Sequence, residues 1–93
     1  MKQRYLVFIK YGQHPKHNFE VITCFTCKGL AILDTQTGDT YCVKHNPRCM
    51  IIYTHASSAK QAGLYTHIRY PNFTVLASIS DTELTSFNKD GKI

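Results

Sequence analysis

The residues of this chain best able to do chemistry are four cysteines and five histidines, and the cysteines are clustered. Cys24 and Cys27 are separated by two residues, fourteen more precede Cys42, and His45 and Cys49 follow closely. A Cys-x2-Cys turn closed by Gly29 aims two thiolates at one centre and turns backbone N–H groups toward the sulfurs. Zinc in a structural role takes four tetrahedral nitrogen or sulfur donors. Cys24, Cys27 and Cys42 are expected to supply three of them to Zn²⁺, with the fourth from either His45 or Cys49. Spacing favours His45, whereas the thiolate preference of structural sites favours Cys49. The residue left out would orient a ligand through a hydrogen bond or, if Cys49, fill space as a small hydrophobe.

Other uses of the cysteines fit less well. Disulfides belong to oxidising compartments. Here the apolar run Tyr5-Leu6-Val7-Phe8-Ile9 is stopped at Lys10, too short for a signal-peptide core. No stretch is long enough to span a bilayer. The expected setting is therefore intracellular and cytoplasmic, with no membrane partner. A redox Cys-x2-Cys pair opens a helix after a strand, but Gly29-Leu30-Ala31-Ile32-Leu33 reads as strand.

The elements that must position these ligands can be read from periodicity and turn residues. Residues 4–11 are apolar on both alternating faces and read as a central strand. A polar loop spans 12–18, and strands are expected at 19–24, 30–35, 40–43 and 50–55, with turns at Lys28-Gly29, Gly38 and Pro47. The hairpin between Cys27 and Cys42 returns Cys42 to the level of the first pair. Ser57 is expected to cap a helix over 58–69, with Leu64, Tyr65 and Ile68 on its apolar face beside Ala59 and Ala62. Pro71 ends that helix. A strand follows at 73–79, and Ser80-Asp81-Thr82-Glu83 has the capping-box pattern for a short helix reaching about Asn88, before a tail at 90–93. The expected fold class is α+β: a small mixed or antiparallel sheet, an inserted hairpin region over 19–50, and a β–α–β–α half over 51–88, all within one domain spanning 1–93.

The segment from Phe19 to about Met50 resembles the zinc ribbon, a motif class in which two knuckles at hairpin tips clamp one ion. Cys24-Phe25-Thr26-Cys27-Lys28-Gly29 matches the first knuckle, and Cys42-Val43-Lys44-His45 fits a Cys-x2-His second knuckle. The resemblance implies a structural ion and extends no further along the chain.

Catalytic signatures are missing from the sequence. There is no His-x-Glu, no His-Glu-x2-His, no phosphate-binding glycine loop and no Gly-x-Ser-x-Gly, and the six carboxylates show no evident pairing. His14 and His17 flank Pro15 in a polar loop and read as solvated surface. A small metal-dependent nuclease built on His45, Asn46 and His55 would need His45 free of zinc. The formal net charge is +5, and its excess lies in the first third of the chain, which suggests an anionic partner. Lys10, Lys16, Lys28, Lys44 and Arg48 fall near the knuckles, and Phe25, between two ligating cysteines, is expected to point outward as a stacking face. Tyr5 and Phe8 are expected in the core. The functional expectation is a zinc-stabilised binding module, not an enzyme, that contacts nucleic acid or a nucleoprotein machine. The alternative is an adaptor or inhibitor that meets an acidic protein surface.

Overall fold

The structure, a computed structural model, describes residues 2–84. It corrects the expected fold class. Strands hold 46% of the described residues and helix 18%, and the strands form two separate antiparallel sheets of three strands each, not one sheet carrying an inserted hairpin. The first sheet has β1 (Gln3–Tyr11) at its centre, flanked by β5 (Cys49–Ala56) and β6 (Phe73–Ser80). The second is a meander of β2 (Phe19–Thr23), β3 (Leu30–Asp34) and β4 (Thr40–Cys42).

The reason lies in β1. Tyr5, Leu6, Val7, Phe8 and Ile9 are all buried, so both faces of this strand need cover. On one face, α1 (Ala59–Arg69) packs across the sheet, and Tyr5, Val7 and Ile9 meet Ala56 and Ala62. On the other face, Phe8 and Leu76 meet Ile32 of the second sheet. The result is a helix–sheet–sheet stack. Both β5 and β6 run antiparallel to β1 and hence parallel to one another, with α1 as the crossover between them. Phe8 pairs with Ala77 and Ile9 with Val75, so Leu76 stands in a bulge, and its side chain is buried in the core between the sheets.

In the second sheet, alternation sorts the side chains. Val21, Ile32 and Tyr41 are in cross-strand register and pack toward Phe8. Ile22, Ala31 and Cys42 form the neighbouring row on the opposite face. Gly38, at φ +83°, makes the β3–β4 turn in a backbone region that side chains rarely adopt.

The helix begins one residue later than its sequence suggests. Ser58 is the cap, its hydroxyl accepting from the Gln61 N–H. Its buried face matches the expected one only at Ala59 and Ala62: Ala62 and Thr66 face inward, while Leu64, Tyr65 and Ile68 are exposed. The Ser80 capping box is formed. Its hydroxyl accepts from the Glu83 N–H at 3.1 Å, and Glu83 Oε1 accepts from the Ser80 N–H at 3.3 Å. Helical backbone runs over 81–84; the rest of the expected last helix and the tail lie outside the described residues. Among the described residues, no helix is long and apolar enough to cross a membrane.

Candidate metal centre

Two turns of the second sheet build the first cluster. The β2–β3 turn closes with the Cys24 N–H donating to the Gly29 carbonyl at 2.7 Å and the Lys28 N–H to the Cys24 carbonyl at 3.0 Å. Lys28 adopts φ +62°, so the left-handed position falls on it and not on Gly29. The Gly29 N–H then points at Cys27 Sγ, 3.4 Å away. After β4, the N–H groups of His45 and Asn46 both reach the Cys42 carbonyl, which turns the chain back and brings His45 over the first knuckle.

Ligand atoms of Cys24, Cys27, Cys42 and His45 all lie within 4.8 Å of one another. Cys27 Sγ and Cys42 Sγ are 3.6 Å apart, as are Cys24 Sγ and His45 Nδ1. The sulfur separation is far longer than a disulfide bond of about 2.05 Å, and all four cysteines are free thiols. The four residues are therefore close enough to hold a metal ion. Cys49 is outside this cluster. It begins β5, pairs with Lys10 of β1, and so belongs to the first sheet.

The thiols differ in their electrostatics. The Cys24 thiol is lowered to about 5 by the Cys27 backbone N–H, with the Thr26 hydroxyl and N–H adding to the effect. Burial pushes the Cys42 thiol up, opposed by the N–H groups of Lys44 and His45. Burial also raises Cys49, and nearby Lys10 pulls it back.

The expected basic and aromatic residues are brought together only in part. Phe25 is 89% exposed at the tip of the first knuckle, and Lys28 Nζ lies 5.7 Å from its ring centroid. The Lys44 side chain lies along Gly29, with Cε 3.6 Å from where a Cβ would stand there. Beside the cysteines is a groove of about 530 Å³ lined by Phe25, Thr26, Cys42, His45 and Pro47 among others. Lys10 sits instead over the Tyr41 ring, Nζ 5.7 Å from its centroid. Arg48 is exposed beyond the second knuckle, and Lys16 lines a different cavity with His14 and His17. Tyr5 and Phe8 are core, at 5% and 2% exposure. The nuclease constellation is not assembled, because His55 lies six residues along β5 from Cys49, about 20 Å of strand.

A second cluster was not legible in the sequence. His14 and His17 read as solvated loop residues, yet His17 Nδ1 is 2.7 Å from Asp34 Oδ2, and the Asp34 side chain is 1% exposed. Burial alone would raise the Asp34 carboxyl. Hydrogen bonds from His17 and from the Gln36 and Thr37 N–H groups outweigh it and leave the carboxyl below its ordinary value. The only sequence signal was the His-Pro-Lys-His spacing beside a strand-ending aspartate. Compared with family models, curated proteins and solved structures, the chain matches none.

Proposed function

We propose that the chain is a zinc-stabilised module that binds single-stranded nucleic acid through the face of its two knuckles. Zinc fits the donor set. With bonds of about 2.3 Å to sulfur and about 2.0–2.1 Å to nitrogen, a tetrahedron has S–S edges near 3.8 Å and S–N edges near 3.6 Å. Cys27–Cys42 and Cys24–His45 are both separated by 3.6 Å, and all four ligand atoms lie within 4.8 Å of one another. His45 completes the set in this reading.

The observation that carries the nucleic-acid assignment is Phe25. A phenylalanine left 89% exposed between two metal ligands gains little by burial within its own fold. It is held on a rigid turn with Lys28 beside its ring and Lys44 across the base of the same turn. An exposed aromatic ring with one ammonium group 5.7 Å over it and a second lysine side chain along the base of the turn suits a base stacked on the ring's open face and phosphates held by the lysines. The ion's part is to fix the turn; Phe25, Lys28 and Lys44 make the contacts.

Anisotropy of labelled single-stranded DNA and RNA tests this. Phe25→Ala is expected to weaken binding by about 1–3 kcal/mol. Lys28→Glu with Lys44→Glu is expected to abolish binding at moderate salt, each lost phosphate contact flattening the slope of log affinity against log salt by about one. Absence of binding by the wild-type chain at low salt overturns the assignment. A second reading, a protein-binding adaptor, rests on the outer face of α1, where Leu64 and Ile68 are 55% and 68% exposed one turn apart. Its association would be insensitive to salt.

A further inference from the structure

We propose that His14, His17 and Asp34 form a second metal site, separate from the cysteine cluster, that takes a first-row divalent ion and leaves coordination positions open toward the cavity lined by the two histidines. One nitrogen from each imidazole and one carboxylate oxygen already lie within 4.8 Å of one another. The hydrogen bonds around them assign the donor atoms. Asp34 Oδ1 is taken by the N–H groups of Gln36 at 2.9 Å and Thr37 at 3.3 Å, which leaves Oδ2 for the ion. His14 Nδ1 lies 3.2 Å from the Pro15 carbonyl. That contact places the proton on Nδ1, so Nε2 accepts from the Tyr41 hydroxyl at 3.0 Å, a bond that the ion would replace. At His17 the ion takes the place of the proton shared between Nδ1 and Asp34 Oδ2.

The required movement is small. Bonds of about 2.0–2.2 Å give donor–donor edges of roughly 3.3–3.5 Å. The His17–Asp34 contact at 2.7 Å therefore opens by under about 1 Å. Both histidines belong to the irregular segment 12–18, which can adjust without breaking a strand.

An ion pair alone would not need His14. Asp34 is already satisfied by two backbone donors and His17. Yet His14 is held at the same point by ring contacts with His17, Phe19 and Tyr41, at centroid distances of 6.0, 5.4 and 5.5 Å. Two imidazoles and one carboxylate suit zinc, cobalt(II) or iron(II) over the all-oxygen sites of calcium and magnesium. Three protein donors leave a tetrahedral or octahedral ion incomplete, as in reactive sites and unlike closed structural ones. His14 and His17 line a cavity of about 500 Å³ whose wall also carries Lys16, His67 and Thr74, so a small anion has room and a positive charge beside the ion.

Cobalt(II) titrated into the metal-free full-length chain tests the proposal, with total uptake counted by equilibrium dialysis. Two equivalents are expected to bind, one with thiolate-to-cobalt charge transfer and one without. His14→Ala and His17→Gln should each lose only the equivalent that lacks charge transfer. In the wild type, diamagnetic zinc filling the same site should shift the imidazole proton resonances of His14 and His17 and leave those of His55 unmoved, a readout that needs no variant to fold. The proposal is overturned if no cobalt binds without charge transfer, if well-folded variants keep it, or if the two imidazoles do not respond. Since dialysis counts this ion independently, failure of the cysteine site would show separately as loss of the charge-transfer band.

Discussion

Removing the metal should unfold one sheet and spare the other. The second sheet places only one large apolar side chain, Ile32, fully out of water. Burying an isoleucine stabilises by about 1.5–3 kcal/mol. The apparent binding free energy of a structural zinc is about 10–16 kcal/mol in small peptides at neutral pH, several times that contribution. The first sheet has a core of its own, in which Tyr5, Val7, Ile9, Ala56 and Ala62 meet with no residue of the second sheet among them. Chelation is therefore expected to strip hydrogen-exchange protection from the amides of Ile22, Ile32 and Tyr41 while those of Val7, Ile9 and Ala77 keep theirs. Phe8 and Leu76, which lose their cover on that side, should then bind a hydrophobic dye. Exchange followed by mass spectrometry on peptides from each sheet resolves the two groups. Unchanged protection over 19–46 would show that the small sheet stands without the ion. Equal loss in every strand would show that the two sheets unfold together, and either result refutes the reasoning.

Three further outcomes follow from particular contacts. Thr26→Val removes the hydroxyl 3.4 Å from Cys24 Sγ, one of the groups that hold this thiol at about 5; a proton then competes better for the sulfur, so the pH midpoint of metal release should move upward when followed by cobalt charge transfer. Cys49→Ala should leave the cysteine-bound ion in place by elemental analysis and change stability by about 1 kcal/mol or less in chemical denaturation, whereas loss of that ion would return Cys49 to the ligand set. Ala62→Leu should destabilise by about 1–3 kcal/mol, since Ala62 is 0% exposed against Val7 and Ile9, while Leu64→Ser on the outer face should stay within about 0.5 kcal/mol.

Local order was well written in the sequence, and long-range order was not. All six strand positions came through to within a residue or two, because alternation and turn residues act over a few positions. The central place of β1 was legible since both its faces are apolar. Its partners were not, because β5 and β6 lie some forty to seventy residues away and nothing local names them. The face of α1 was misread for a physical reason. The helix lies close on the sheet, where a Cβ at Gly63 would stand 3.6 Å from Val75, so small residues face inward and the larger Leu64 and Ile68 face outward. Thr66 tolerates burial because its hydroxyl donates to the Ala62 carbonyl at 2.9 Å. Strand register, which no ligand spacing reveals, brings His45 and not Cys49 beside the other three cysteines: pairing with Lys10 draws Cys49 into β5. The second cluster was hidden because Asp34 is seventeen residues from His17, and a polar loop carrying two histidines looks solvated until the hairpin brings the carboxylate beneath it.

The two clusters stand at opposite ends of the same small sheet, and that placement divides their structural roles. The cysteines come from the turn after β2 and from the end of β4, so an ion there ties the sheet to itself. Across the sheet, Phe19 pairs with Asp34 at the far end of β3, about 13 Å from Leu30. There His14 and His17 arrive on the connection from β1, so contacts at that end tie the small sheet to the large one. Between the ends, the sheets meet through buried Phe8, Ile32 and Leu76, with half-buried Phe19, Val21, Leu30 and Tyr41 packed around them. A meander this short cannot gain much from strand pairing, with five residue pairs between β2 and β3 and three between β3 and β4. Its order must therefore come from its ends. An ion at the cysteine end would fix the turn that presents Phe25 and, with it, this end of the sheet. The histidine end determines how that sheet sits on β1, and with it the shape of the cavity beside His14.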